Sequence, residues 1–149
     1  MRRVSTDRHI SAPPPRGNFI WPAKSTISQH LGPTIVTIEP PYDGHPHFHN
    51  GLDIANKQGT PVIAADDGTV SYAGWSTHGL GYSVEIDHDN GFVTWYGHLA
   101  KPPSVSTGEQ VGKGQFLGPM GNTGNSAGLH VHFMVVLNDT YQNPIDFLP

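Results

Sequence analysis

Eighteen glycines and fourteen prolines divide these 149 residues into short apolar runs, a punctuation that favours many short strands and turns over long helices. Thr34 to Ile38, Leu52 to Ala55, Pro61 to Ala65 and Thr69 to Ala73 read as strands bounded by Gly, Pro or Asp. Tyr82 to Asp87 alternates in polarity, Asp89-Asn90-Gly91 intervenes, and Phe92 to Tyr96 follows: the strongest hairpin signal in the chain. Val105 to Leu117 reads as loops with one short strand, and Gly118 to Gly128 as a glycine-rich loop able to bring backbone close to a ligand. Pro40 to Gly44 is a turn, and the last strong strand is Leu129 to Leu137. The length suits one folded domain, expected over residues 21–149. Residues 1–20 are expected to be a flexible, proline-rich N-terminal segment, because the consecutive prolines of Ala12 to Gly17 remove backbone donors.

Composition narrows the chemistry. With no cysteine there is no disulfide, thiol nucleophile or thiolate metal site, so any metal must be held by His, Asp or Glu. A net charge of -4 excludes a strongly basic nucleic-acid surface. No stretch approaches a membrane span. Ser5 to Asn18 is polar and proline-rich rather than apolar, so the chain as written shows no signal peptide. A monomer is favoured. The ten histidines are the outlier, and charge and metal binding should both respond to pH.

His49-Asn50-Gly51-Leu52-Asp53 offers an imidazole and a carboxylate separated by three residues, with Gly51 allowing the backbone to bend so that both converge. His130-Val131-His132 lies in a strand pattern, which projects both imidazoles from one face, roughly 6 to 7 Å apart at Cα. A desolvated His pair is costly unless a metal or acid satisfies it. Three protein ligands and an open fourth position are what a catalytic zinc requires, and two His with one Asp fit that count, whichever of His130 and His132 is the ligand. Tyr96-Gly97-His98-Leu99 adds a further imidazole at a loop mouth. No His-Glu-x-x-His segment occurs, so a Glu general base is not indicated and histidine must move the protons.

His-x3-Asp, then Tyr-x-His-Leu, then His-x-His, in that order, resembles the signature of the M23 metallopeptidases, the lysostaphin-like family. The likeness extends through Trp21-Pro22 with Ile27-Ser28, Gly51 to Ala55, Gly59-Thr60-Pro61-Val62 and Ala65 to Val70. It ends in Gly121-Asn122-Thr123-Gly124-Asn125-Ser126 and Gly128-Leu129-His130-Val131-His132-Phe133. The resemblance implies an all-β, mainly antiparallel fold of the lysostaphin type, with long glycine-rich loops and little helix. It implies that His49, Asp53 and His132 bind one zinc ion and that His98 and His130 are the catalytic histidines. The substrate it implies is the stem peptide or cross-bridge of bacterial peptidoglycan, cut by an endopeptidase outside the cell, at the wall, or delivered by a phage particle. A catalytically silent wall-binding module and an enzymatic appendage of a phage particle are the alternatives.

Two departures from the family pattern stand out. Met134 occupies a position where many relatives carry Glu and is expected to pack, opposite in direction to Phe133. His45 and His47 precede the first ligand and read as solvated loop histidines, with a second or inhibitory metal as the sharper alternative. Tyr72, Trp75, Tyr82 and Trp95 are candidate groove walls, although core packing is the first expectation for most of them.

Overall fold

The computed structural model describes residues 3–4, 19–24, 26–34, 41–42, 44–45, 48–126 and 128–149. The strands run β1 (Arg3–Val4), β2 (Thr26–Gln29), β3 (Gly32–Pro33), β4 (Phe48–His49), β5 (Leu52–Ala55), β6 (Pro61–Ile63) and β7 (Gly68–Ser76). They continue as β8 (Gly81–Asp87), β9 (Phe92–Leu99), β10 (Gln110–Val111), β11 (Phe116–Pro119), β12 (His130–Leu137) and β13 (Thr140–Gln142). Among the described residues the one helical segment is a 3-10 turn, Pro144–Phe147, whose Ile145 N–H donates to the Asn143 side chain. The fold is therefore all-β, as the glycine and proline punctuation predicts.

β12 is the pivot of the main sheet. β9 pairs along one of its edges, while β5 takes the N-terminal half of the other edge and β13 the C-terminal half, all antiparallel. Beyond β9 the sheet continues through β8 and β7 to β10, and β2 flanks β5. β1 lies parallel against β13, and two small sheets, β6 with β11 and β3 with β4, complete the set.

Alternation along β12 sorts its side chains. Val131, Phe133, Val135 and Leu137 enter the core with Leu52, Ile54, Ile86, Phe92 and Tyr96. His130, His132, Met134 and Val136 take the opposite face. Each large apolar side chain buried in this way contributes about 1.5–3 kcal/mol, so the histidine-bearing strand is anchored by its own inward face. Phe19 also packs in this core, edge-on to Phe92 at 5.4 Å between ring centroids.

A buried polar chain ties the β8–β9 hairpin to the β6–β7 turn. His88 Nδ1 lies 2.6 Å from the Asp67 carbonyl, which can only accept, so Nδ1 carries the proton. Nε2 of the neutral ring then accepts from Thr94 Oγ1 at 2.8 Å, Thr94 accepts from the Tyr96 hydroxyl at 2.7 Å, and that hydroxyl accepts from Ala65 N–H at 2.9 Å. Burial pushes the His88 pKa down, against the pull of the Asp67 carbonyl, and raises that of the Tyr96 phenol.

Several local expectations are corrected. Thr34 lies outside any strand, the short strand being Gly32–Pro33, and the rest of the expected Thr34 to Ile38 run lies outside the described residues. All of the Ala12 to Gly17 linker, and Pro40 and Asp43 of the expected Pro40 to Gly44 turn, likewise lie outside them. Val105 to Leu117 contributes to two short strands, β10 and β11, rather than one. Tyr72, Trp75, Tyr82 and Trp95 are not fully buried core residues: Trp75 is 50% exposed and stacks edge-on against Tyr82, and Tyr72 tilts against Trp95. The cause is a bulge at Ser71, where Val70 pairs with Ile86 but Tyr72 with Glu85, so Tyr72 turns to the face opposite the core beside Trp95.

Candidate metal centre

Register alone brings the donors of this centre onto one face. His132 stands opposite Asp53 of β5 and Gly97 of β9, and His130 opposite Ala55, so Asp53, His130 and His132 share the face that Phe133, Leu52 and Ile54 avoid. His49 closes the group from β4, just before the turn into β5. The tight turn depends on Gly51 for space rather than for dihedral freedom. A Cβ there would lie 2.6 Å from the Phe133 carbonyl oxygen and 3.0 Å from His132 Nε2. The bend expected at Gly51 is thus a close approach of backbone to strand β12.

His98 reaches the same face by an irregularity. Val84 pairs with Tyr96 and Tyr82 with Leu99, two steps on β8 against three on β9, which makes Gly97-His98 a bulge. His98 has φ 66°, the left-handed region that side-chain-bearing residues seldom adopt. Strict alternation from the buried Tyr96 would send His98 into the core; the extra residue turns it out instead. Its ring meets His130 at 4.9 Å and His132 at 5.8 Å between centroids.

Three donor atoms converge. His49 Nε2 lies 3.0 Å from Asp53 Oδ1 and 3.1 Å from His132 Nδ1, and the last two are 2.9 Å apart. All three residues are buried. Tetrahedral zinc with ligands at about 2.0–2.1 Å sets neighbouring ligand atoms about 3.3 Å apart, so this triangle fits the ion. The outer nitrogens fit it as well. His49 Nδ1 donates to the His30 carbonyl at 2.9 Å and His132 Nε2 donates to Asn50 Oδ1 at 2.7 Å, which leaves the inner nitrogen of each ring with its lone pair.

Burial acts to raise the Asp53 pKa, but the close approach of His132 and His49 outweighs it and holds the carboxyl well below the usual range. Asp53 Oδ2 lies 3.3 Å from His130 Nε2. Burial, with His132 nearby, lowers the His98 pKa to about 4, and burial also lowers that of His130 despite the Asp53 charge. Both rings are neutral at pH 7. His98 Nδ1 donates to the Thr123 carbonyl at 2.7 Å, which commits that nitrogen as well.

All five residues singled out in the sequence, His49, Asp53, His98, His130 and His132, meet at this face. Asn50, His30 and Thr123, which hold the rings in place, are not evident in the sequence, since each acts on a partner distant along the chain or through backbone. Met134 packs beside Gly51, 4% exposed. His45 is exposed near Phe48, and His47 lies outside the described residues.

An all-β domain that gathers a His-Asp-His donor set beside two neutral imidazoles has the make-up of a metallohydrolase. The sequence model of Peptidase family M23 matches residues 47–144, and the chain belongs to that family. It is 38% identical over 104 residues to the peptidoglycan DD-endopeptidase ShyC of Vibrio cholerae, a stretch covering 70% of this chain and 24% of that protein. The catalytic domain of the antimicrobial peptidase lysostaphin from Staphylococcus simulans superposes with a TM-score of 0.70 at 33% identity, covering 83% of this chain and 91% of that one. A zinc-containing peptidase from Vibrio cholerae matches with a TM-score of 0.71 at 29% identity, over 86% of this chain and 39% of that one. Of three curated relatives the chain spans only 22% to 43% of the length. Among the described residues no helix is long and apolar enough to cross a membrane.

Proposed function

We propose that this chain is a zinc-dependent endopeptidase that hydrolyses peptide bonds in the stem peptides or cross-bridges of bacterial peptidoglycan. The observation that carries the reading is the triangle of His49 Nε2, Asp53 Oδ1 and His132 Nδ1, each side 2.9 to 3.1 Å, with the far nitrogen of each imidazole already engaged. A zinc ion held by these three would polarise the scissile carbonyl and bring the pKa of a water toward neutrality.

The remaining work falls to the chain's own groups. His130, neutral at pH 7 through burial, is the base that accepts the proton of the attacking water through Nε2, and the nearby Asp53 carboxylate favours the imidazolium that results. His98, its ring neutral and its Nδ1–H held by the Thr123 carbonyl, presents the Nε2 lone pair, which takes the remaining proton of the attacking water and delivers it to the leaving amine. Asn50 and the His30 carbonyl keep the donor rings from turning.

The names of relatives support the wall peptide as substrate: a peptidoglycan DD-endopeptidase, and lysostaphin. The site of action in this reading is extracellular or at the cell wall, reached by export or by delivery from a phage particle. Incubation with isolated peptidoglycan, with chelator and then with zinc restored, tests it. New free amines without new reducing ends, lost with chelator and regained with zinc, are expected. New reducing ends would identify a glycan-cleaving enzyme. Neither product from several wall types, with zinc bound, would identify a silent wall-binding module.

A further inference from the structure

The glycine-rich segment after β11 and the turn between β7 and β8 approach each other too closely for side chains. A Cβ on Gly81 would lie 2.4 Å from Thr123 Oγ1, and a Cβ on Gly124 would lie 2.4 Å from Gly81 N and 2.5 Å from the Gly79 carbonyl oxygen. Both glycines also have positive φ, 64° and 77°. The notch at Gly81 receives the Thr123 hydroxyl, which donates to the Leu99 carbonyl at 2.5 Å and accepts from Tyr82 N–H at 3.1 Å. One oxygen thus bridges β8 and β9 across the register break that holds His98. The carbonyl of the same residue accepts from His98 Nδ1 at 2.7 Å.

We propose that Thr123 is a positioning residue for His98: its hydroxyl, held between Tyr82 N–H and the Leu99 carbonyl, fixes its own carbonyl on His98 Nδ1, so the Nε2 lone pair faces the site. In the left-handed bulge His98 N–H donates to the Leu80 carbonyl at 2.7 Å, a backbone bond that does not set the rotation of the ring. A hydroxyl is required at position 123 because one atom must donate to one strand and accept from the other; a methyl group of the same volume does neither. The hydrogen bonds of Thr123 run to Tyr82, Leu99 and His98, so its removal acts on the site through His98.

The inference rests on the reading of His98 as a group that works at the scissile bond, but its first test needs no turnover. In the zinc-loaded protein at neutral pH, long-range 1H–15N correlations of the His98 ring report which nitrogen is protonated. Wild type is expected to hold the proton on Nδ1; Thr123→Val is expected to shift population to the Nε2-protonated ring, and Thr123→Ser to restore the wild-type pattern. On wall peptide, Thr123→Val should lower kcat about 100-fold, the scale of a misplacement of about 1 Å, with KM and zinc content unchanged, and Thr123→Ser should recover it. A His98 ring that stays protonated on Nδ1 in Thr123→Val overturns the proposal, as does a loss of kcat that Thr123→Ser leaves in place. If wild type cuts no wall peptide while the tautomer responds as stated, the peptidase reading fails and the positioning role stands.

Discussion

Each donor imidazole has one nitrogen aimed at the shared point and the other tied to an oxygen outside it, and the tie at His132 comes from a side chain, Asn50 Oδ1 at 2.7 Å. An apolar residue of similar size at position 50 leaves His132 Nε2–H without that acceptor and frees the ring to rotate. Asn50→Leu should raise the zinc dissociation constant about 10- to 100-fold, measured by competition with a chromophoric chelator; an unchanged constant would show that the ring is held by packing alone. His49, Asp53 and His132 were legible in the sequence because the donor types and their spacings are themselves the signal. Asn50 was not, for its partner lies 82 residues away and only the β5–β12 register brings them together. Gly51 was legible as a constraint but for a different reason, the 2.6 Å approach to the Phe133 carbonyl rather than a special dihedral.

The β8–β9 hairpin carries two features of opposite legibility. Its strands and turn follow from alternation around Asp89-Asn90-Gly91, and in the structure Asp89 and Gly91 take the positive φ values that such a turn demands. The Gly97-His98 bulge leaves no trace in the pattern, because counting twos from Tyr96 places His98 in the core. The hairpin also contains the directed chain from Ala65 through Tyr96 and Thr94 to His88, which requires a neutral His88. Burial lowers the His88 pKa below its ordinary value of 6.5. In the window between the lowered value and 6.5 the unfolded chain therefore binds more protons, and stability rises with pH. The His88 contribution is complete above 6.5 and is lost as pH falls through that window. Urea midpoints between pH 7.5 and about 5 should fall more steeply for wild type than for His88→Phe, whose absolute stability is also lower because Asp67 and Thr94 lose their partner. Parallel curves would remove His88 from the account of acid sensitivity.

At the scale of the whole molecule the core and the centre are the two faces of one strand. Val131, Phe133, Val135 and Leu137 of β12 join a core that includes none of the donor side chains. In the proposed reading the metal therefore adds to a fold whose apolar core is built from other residues. Chelation should leave the far-UV circular dichroism unchanged while lowering the melting temperature, zinc at 100 times its dissociation constant contributing about 2.7 kcal/mol. Collapse of the β signal on chelation would mean that the donors are part of the core after all. The all-β class was legible because punctuation by glycine and proline is a local property. The assembly order of the strands was not, since β5 and β13 share one edge of β12 through contacts that no local pattern encodes. The central claim is a division of labour among five side chains, and zinc content measured beside turnover in His132→Ala and His98→Ala tests it most directly. His132→Ala should fail to hold zinc and so lose activity, whereas His98→Ala should keep one zinc per chain and lose activity. Loss of zinc in proportion to activity in His98→Ala, or full retention in His132→Ala, would contradict it.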